Sequence, residues 1–415
     1  MKIDWLKPLL GHSGPFATVY LDATPSDKAV ADRDVANRWR AARKSLAAQG
    51  APDGVLDGMQ DSARRPTWEP GLHGRVVIAD GTGVLVDRVL YEAPTVDVAS
   101  WSNVPELLQV VRAADESVEL LVVAVDRKGA DFTRTGVGGR VYEEYAAPDD
   151  EIAKASSTGT KRAKIESRAE DSWERNAAAI AKEVERQVEA SAPELVVLTG
   201  DTRTVSGVRE NMCRPVSETC IDIPGGVRGA PATVGGGPAG GAASGGAFTD
   251  RVGEALDSYR ERRRERVLAG LRQGLGRDEG AVSSVDDVVA VLSRGQVAEL
   301  VLADEYGAGN GQVNGRTLWI GPEPTHIASD RASLEALGVR EGLEELPAVV
   351  ALVRAAIAQD AGLTFAPEGS VGAGAGGVTD GVAATLRWVD ERTPHEFAAA
   401  MSGDDVRLRG ERVRG

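Results

Sequence analysis

Between Lys154 and Arg168 five cations, Lys154, Lys161, Arg162, Lys164 and Arg168, stand against one anion, Glu166, in a chain whose formal net charge is -15. Small polar residues, Ser156, Ser157, Thr158, Gly159 and Thr160, lie among them. Directly after come Ile165, Ala169, Trp173, Ala177, Ile180, Val184 and Val188, whose spacings of three and four predict one apolar stripe along an amphipathic helix. Cations at a helix N-terminus oppose the macrodipole, which favours anions there. An external polyanion relieves that mismatch, and a loop of small polar residues over 155–164 can reach one. The candidate contact residues are therefore Lys154, Ser156, Ser157, Thr158, Gly159, Thr160, Lys161, Arg162, Lys164 and Arg168. The competing reading of the same charges is a solvated surface loop.

Other chemistry is sparse. The histidines His12, His73, His326 and His395 sit in four different segments without ligand-spaced partners, which favours loop or core roles. Cys213 and Cys220 are the only cysteines, lack a C-x-x-C spacing, and read as two buried thiols in a reduced compartment. No G-x-S-x-G is present. Gly200-Asp201-Thr202 follows a strand pattern, where α/β folds place function, but Asp201 reads first as a helix N-cap. No constellation supports an enzyme, and neither a metal nor a cofactor is expected.

The 415 residues suit three domains, and 42% hydrophobic content is enough for real cores. The strongly acidic balance argues against non-specific binding of nucleic acid or membrane surfaces by the molecule as a whole, while leaving room for a local basic contact. The N-terminal Met1-Lys2-Ile3-Asp4-Trp5-Leu6-Lys7-Pro8 is broken by charges, unlike a signal peptide, and no stretch approaches a bilayer span. A cytoplasmic location is expected.

The elements that position the basic stretch follow from patterning. Phe16 to Leu21 is a predicted strand, about Lys28 to Ala48 a helix, and Arg75 to Ala79 with Val84 to Tyr91 a hairpin about Asp80-Gly81-Thr82-Gly83. With a short helix over Pro105 to Ala114 they form a first α+β domain, 1–116. Glu119 to Asp126 is apolar enough to be buried on both faces. It opens a three-stranded meander with Ala130 to Thr135 and Arg140 to Tyr145, followed by the basic stretch and its helix. Strands at Leu195 to Thr199 and Glu218 to Ile223 flank a helix at Thr202 to Met212, completing a mixed α/β domain, 117–280.

That domain also holds a glycine-rich insertion, 225–246, read as a flexible loop because it lacks G-K-[ST]. A helix over Phe248 to Leu275 carries Arg260, Arg262, Arg263, Arg264 and Arg266, interleaved with Glu261 and Glu265 as on a solvated face. A third unit, 281–389, reads as an α/β/α sandwich. It has a helix from Ser284 to Leu292, strands at Ala298 to Ala303, Arg316 to Ile320, Leu363 to Ala366 and Gly381 to Val389, and a helix over Pro347 to Ala361. Gly369 to Gly377 reads as a loop, and 390–415 is a tail.

The order of these units resembles the archaeo-eukaryotic peptide-release-factor and Pelota superfamily in its bacterial branch, and within it the actinobacterial ribosome hibernation factors related to Balon. Val285-Asp286-Asp287-Val288-Val289-Ala290-Val291-Leu292-Ser293-Arg294-Gly295-Gln296-Val297-Ala298-Glu299-Leu300-Val301-Leu302 resembles the family's helix, "G-A-V-x-x-L" and strand. Asp380-Gly381-Val382-Ala383-Ala384-Thr385-Leu386-Arg387-Trp388 resembles its closing "G-G-I-x-A-x-L-R-Y". Val123-Ala124-Val125-Asp126-Arg127-Lys128-Gly129-Ala130 is similar to the opening hairpin of the middle domain, and Cys220-Ile221-Asp222-Ile223-Pro224-Gly225-Gly226 with Gly246-Ala247-Phe248 to its last strand and next helix.

The resemblance implies a three-domain architecture of α+β N-domain, mixed α/β RNase H-like middle domain and α/β/α sandwich C-domain. The loop from Ala155 to Lys164 stands where release factors carry Gly-Gly-Gln, and here reads Ser-Ser-Thr-Gly-Thr-Lys. Without that glutamine, peptidyl-tRNA hydrolysis is not expected. Without Asn-Ile-Lys-Ser, neither is codon reading. What the likeness implies is a hibernation factor filling the vacant ribosomal A site during stress, with ribosomal RNA as the polyanion. It also admits a translational GTPase such as elongation factor Tu as a partner of the third unit. A monomer without membrane contact is expected. The alternatives are a peptidyl-tRNA-hydrolysing rescue factor and a non-ribosomal regulator on the same fold.

Overall fold

A computed structural model describes residues 3–12, 14–24, 31–65, 67, 72–135, 140–148, 160–229, 246–277, 279–303, 315–367 and 381–394. The chain divides into two compact units: 1–13, 106–115 and 262–415 form one, and 14–105 and 116–261 the other. Among the described residues no helix is long and apolar enough to cross a membrane.

The unit built from 14–105 and 116–261 holds two sheets. In the first, β1 (Phe16–Asp22), β2 (Gly74–Asp80), β3 (Gly83–Leu90) and β4 (Val98–Ser102) pair antiparallel in the order β3-β2-β1-β4. Helices α1 (Ala31–Ala48) and α2 (Asp53–Arg64) cover one face. Trp39, Leu46, Leu56 and Met59 pack there on Ala17, Val19, Leu21 and Val77. The hairpin and α1 follow the sequence pattern. Helix α2 and strand β4 were not expected. Gly54 and Gly58 weaken the helical propensity of α2, yet Val55, Leu56, Met59 and Ala63 are buried at helical spacing.

The second sheet positions the basic stretch. Its strands are β5 (Leu120–Asp126), β6 (Gly129–Arg134), β7 (Val141–Ala146), β8 (Leu195–Gly200) and β9 (Cys220–Asp222), in the order β7-β6-β5-β8-β9. The meander β5-β6-β7 is antiparallel, whereas β5, β8 and β9 run parallel. Strand β5 is buried on both faces, as its composition predicts. Leu121, Val123 and Val125 face helices α4 (Thr160–Ser191) and α5 (Thr202–Asn211), while Leu120 and Val122 pack with Phe248, Val252 and Leu256 at the start of α7 (Gly246–Arg277). Residues 214–219, expected to open a strand at Glu218, instead form the short helix α6 (Arg214–Thr219), with Pro215 in its first turn; β9 is correspondingly brief.

In the other unit, β10 (Ala281–Val282), β11 (Val297–Ala303), β15 (Gly362–Ala366) and β16 (Val382–Leu386) make a sheet ordered β10-β16-β11-β15. A separate sheet, β13-β12-β14, is formed by β12 (Thr317–Ile320), β13 (Ile327–Ala328) and β14 (Glu344–Pro347). The sequence-read strands are thus shared between two sheets. Helix α8 (Val285–Leu292) buries its five valine and leucine positions, the short α9 (Arg331–Ala336) buries Leu334, α10 (Ala348–Ala358) buries eight of its eleven residues, and Ser284 caps α8 by accepting from the Asp287 amide.

The arginine run on α7 is not simply a solvated face. Arg263 is 13% exposed and pairs at 3.2 Å with Asp115, at the end of α3 (Leu108–Glu116). Burial pushes the Asp115 carboxyl above the ordinary carboxylate range, against the pull of Arg263 and the Phe365 amide, which donates to it at 3.1 Å. One carboxylate thereby ties α3, α7 and β15. Asp115→Ala strands a buried guanidinium and is expected to lower the stability of this unit by about 3–5 kcal/mol in chemical denaturation. A loss below about 1 kcal/mol, the range of an exposed pair, would show that Asp115 is not structural.

Candidate nucleic-acid interface

The β5–β6 turn and the parallel pairing of β8 with β5 decide where the basic stretch lies. Because β7 ends at the same end of the sheet as β5, and β8 begins at the opposite end, α4 runs back across the sheet with its N-terminus at the carboxyl ends of β5 and β8. Ala177, Ile180, Ala181 and Val184 bury its apolar stripe. Asn176 Nδ2 donates to the Arg127 carbonyl at 2.9 Å, fixing the register of the helix against the turn. From Asn176 back to Thr160 the chain stays helical. At 1.5 Å per residue that is about 24 Å of helix beyond the turn.

Of the candidate contact residues, Thr160, Lys161, Arg162, Lys164 and Arg168 lie on this helical extension. The expected loop over 155–164 is corrected here, because the helix begins at Thr160. Nothing in Thr160–Lys164 breaks a helix, and continuing the helix satisfies backbone groups that a loop leaves open. Lys154, Ser156, Ser157, Thr158 and Gly159 lie outside the described residues, as do the Gly136–Gly139 turn, 230–245 of the glycine-rich insertion, Gly369 to Gly377, His395 and the tail from 395.

Two glycines shape this end of the sheet. A Cβ on Gly129 would stand 2.0 Å from the Tyr145 carbonyl oxygen, so the turn closes only with glycine. Gly200 has φ +133°, and a Cβ there would stand equally close to the Val125 carbonyl oxygen. It releases β8 into Asp201, whose carboxylate accepts from the Thr204 amide at 3.4 Å, the N-cap expected from sequence.

Between α4 and α5 the same end of the sheet opens a cleft of about 550 Å³. Its wall carries Trp173, with Arg127 Cζ 3.8 Å and Arg203 Cζ 4.4 Å from the ring centroid. Periodicity marked Trp173 as a core residue, but the indole is only partly buried and carries two cations. No local signal gives this away, since the three residues come from a turn and two helices.

The other face of the meander holds a clamp that sequence reading missed. Arg228, 15% exposed, makes ion pairs of 2.9 Å each with Asp126, Asp131 and Glu144. Asp131 also accepts from the Gly229 amide at 2.7 Å and the Tyr142 hydroxyl at 2.9 Å. Burial alone would raise the Asp131 carboxyl, but the Gly229, Arg228 and Tyr142 hydrogen bonds outweigh it and hold the group below the ordinary range. Gly226 N donates to Thr199 Oγ1 at 2.9 Å, so the segment entering the glycine-rich insertion is fixed at both β8 and the meander.

The remaining reactive groups take structural places. His73 is fully buried with Nε2 2.5 Å from Thr67 Oγ1, and His326 Nδ1 accepts from the Glu323 amide at 3.3 Å. Cys220 is buried, its thiol pushed up to about 11 by desolvation, whereas Cys213 is exposed; the expectation of two buried thiols fails because Cys213 occupies the exposed N-cap position of α6, where its side chain makes no capping bond. Among the described residues no group of three or more His, Cys, Asp or Glu is placed to hold a metal ion.

Arg228→Ala leaves Asp131 buried without its cation and is expected to cost about 3–5 kcal/mol in denaturant unfolding at neutral pH. Because Asp131 titrates below its ordinary 3.8 in the folded chain, the clamp contributes fully above that pH and is lost as pH falls through the lower folded value. Wild type and variant should therefore converge in stability well below pH 3.8. A pH-independent difference would contradict the clamp.

With this geometry in place, residues 119–277 match the sequence model of bacterial archaeo-eukaryotic release factor family 2. The uncharacterized protein Rv2629 of Mycobacterium tuberculosis is 25% identical over 386 residues, covering 90% of this chain and 96% of its own length. Among solved structures, Saccharomyces cerevisiae Dom34, a translation termination-like factor, is similar at 10% identity with a TM-score of 0.35, over 78% of this chain and 81% of its own. A ribosome-bound archaeal Pelota is similar at 12% identity with a TM-score of 0.37, over 93% of each chain. It is thus the sheet β7-β6-β5-β8-β9, with α4, α5 and α7, that carries the match to the release-factor family.

Proposed function

We propose that this protein is a ribosome-associated factor that occupies the vacant A site and does not hydrolyse peptidyl-tRNA, which is a hibernation role. The observation that carries this reading is the basic stretch on the helical extension of α4, inside the segment matched by the release-factor family model. A chain of net charge -15 is repelled by RNA at long range, so contact falls to a local positive projection. Lys161, Arg162 and Lys164 would meet phosphates, and counterion release would supply much of the affinity.

The sequence supports the non-hydrolytic part of this reading. No Gly-Gly-Gln occurs anywhere in the chain, and the corresponding stretch offers hydroxyls and cations but no amide side chain to orient a water. Hydroxyls and ammonium groups bind phosphate; by themselves they give no general base of suitable pKa.

Purified protein mixed with ribosomes carrying peptidyl-tRNA is expected to co-sediment and to release no peptide above background. Rapid release would overturn the non-hydrolytic reading, and failure to sediment at low salt would overturn ribosome association. Lys161→Glu, Arg162→Glu and Lys164→Glu combined should flatten the dependence of log K on log salt by about 3, near one per lost phosphate contact. An unchanged slope would leave the extension as mere surface.

A further inference from the structure

The cleft between α4 and α5 has a wall that local stability does not explain. The guanidinium carbons of Arg127 and Arg203 lie 3.8 and 4.4 Å from one Trp173 ring centroid. This sets two like charges on one ring, while the buried Nε1 of Trp173 has no acceptor. An unmet buried donor is destabilising. Departures of this kind from the locally cheapest arrangement collect at functional sites.

The outer end of the ladder is open. The Arg203 side chain is 64% exposed and held by Glu170 at 3.4 Å. An exposed guanidinium plane backed by an aromatic ring is a surface on which an unpaired base stacks. The other cleft charges limit what that base can be. Asp126 shares Arg228 with Asp131 and Glu144 at 2.9 Å each, and Glu174 and Glu210 are wall carboxylates outside the ion pairs above. Carboxylates repel phosphate and accept from exocyclic amines. A nucleotide therefore enters base first, with its phosphate kept at the rim beside Arg127 and Lys128, both exposed.

We propose that this cleft takes one unstacked, amine-bearing nucleobase, adenine, cytosine or guanine, laid on the outer face of Arg203 in the Arg127–Trp173–Arg203 ladder. The inference rests on the reading that the protein binds ribosomal RNA, and it adds a second contact that reads base chemistry where the α4 extension reads only phosphate. A free mononucleotide offers the same base, so the experiment must separate the two sources.

The test compares wild type with Arg203→Lys, which keeps the charge but removes the stacking plane, at a side chain exposed enough to leave the fold intact. Binding of the full chain to unstructured oligocytidine and oligouridine is read by fluorescence anisotropy, binding to cytidine monophosphate by calorimetry, and binding to ribosomes by co-sedimentation. Wild type is expected to prefer oligocytidine to oligouridine about fivefold or more. Arg203→Lys should weaken both oligocytidine and ribosome binding about tenfold with the salt slope unchanged.

Equal affinity for the two oligomers, or unchanged oligocytidine binding by Arg203→Lys, overturns the site. Binding of cytidine monophosphate with ribosome affinity untouched by Arg203→Lys overturns the RNA assignment. Wild type that ignores ribosomes but still shows the Arg203-dependent base preference refutes the proposed function and keeps the base site. Wild type that binds ribosomes with no Arg203 dependence refutes only the cleft.

Discussion

The hold of the β5–β6 turn on α4 is the constraint from which the functional geometry follows. Apolar burial of Ala177, Ile180, Ala181 and Val184 fixes the helix against the sheet without choosing where along its length it sits. The Asn176–Arg127 hydrogen bond supplies the register. A helix slid by one turn would move the basic residues by about 5.4 Å and would lose the Trp173 stack together with the Asn176 bond. The reach of the positive segment and the shape of the cleft thus depend on the same turn, which closes only because Gly129 has no Cβ.

Around that turn, charge is sorted by environment. On the α7 side of the sheet, Arg228 gathers Asp126, Asp131 and Glu144 into one clamp. Breaking one member of such a network strands a desolvated charge, so it acts as a fastener for the strap into the glycine-rich segment. On the α4 side, Arg127 and Arg203 are left exposed and stacked rather than paired deep in the fold. Asp126 belongs to both settings. It bonds the amides of Lys128 and Gly129 inside the turn and also receives Arg228.

Much of this was legible in the sequence wherever one periodicity dominated. The nearly all-apolar Leu120–Asp126, the part of the helical stripe from Ala177 to Val188 and the Asp201 cap were each read from local pattern, and each is found in the structure. The misses have physical causes. Propensity hid α2 behind two glycines that tertiary burial overrides. Arg263 was assigned to a solvated face because its partner, Asp115, lies 148 residues away. The Arg228 clamp joins residues separated by 84 to 102 positions, and no local pattern announces such a contact. Trp173 was counted as core because spacing records which face a residue occupies and is blind to the two cations the fold brings over its ring.

The central claim is that an acidic protein meets RNA through the positive end of one projecting helix. A cryo-EM map of ribosomes from stationary-phase cells, purified with the protein bound, tests it most directly. Density for the first turns of α4 packed against ribosomal RNA in the A site, with no peptidyl-tRNA cleaved beside it, is the expected result. A map that places the protein elsewhere on the ribosome, or that leaves the start of α4 in open solvent, would contradict it.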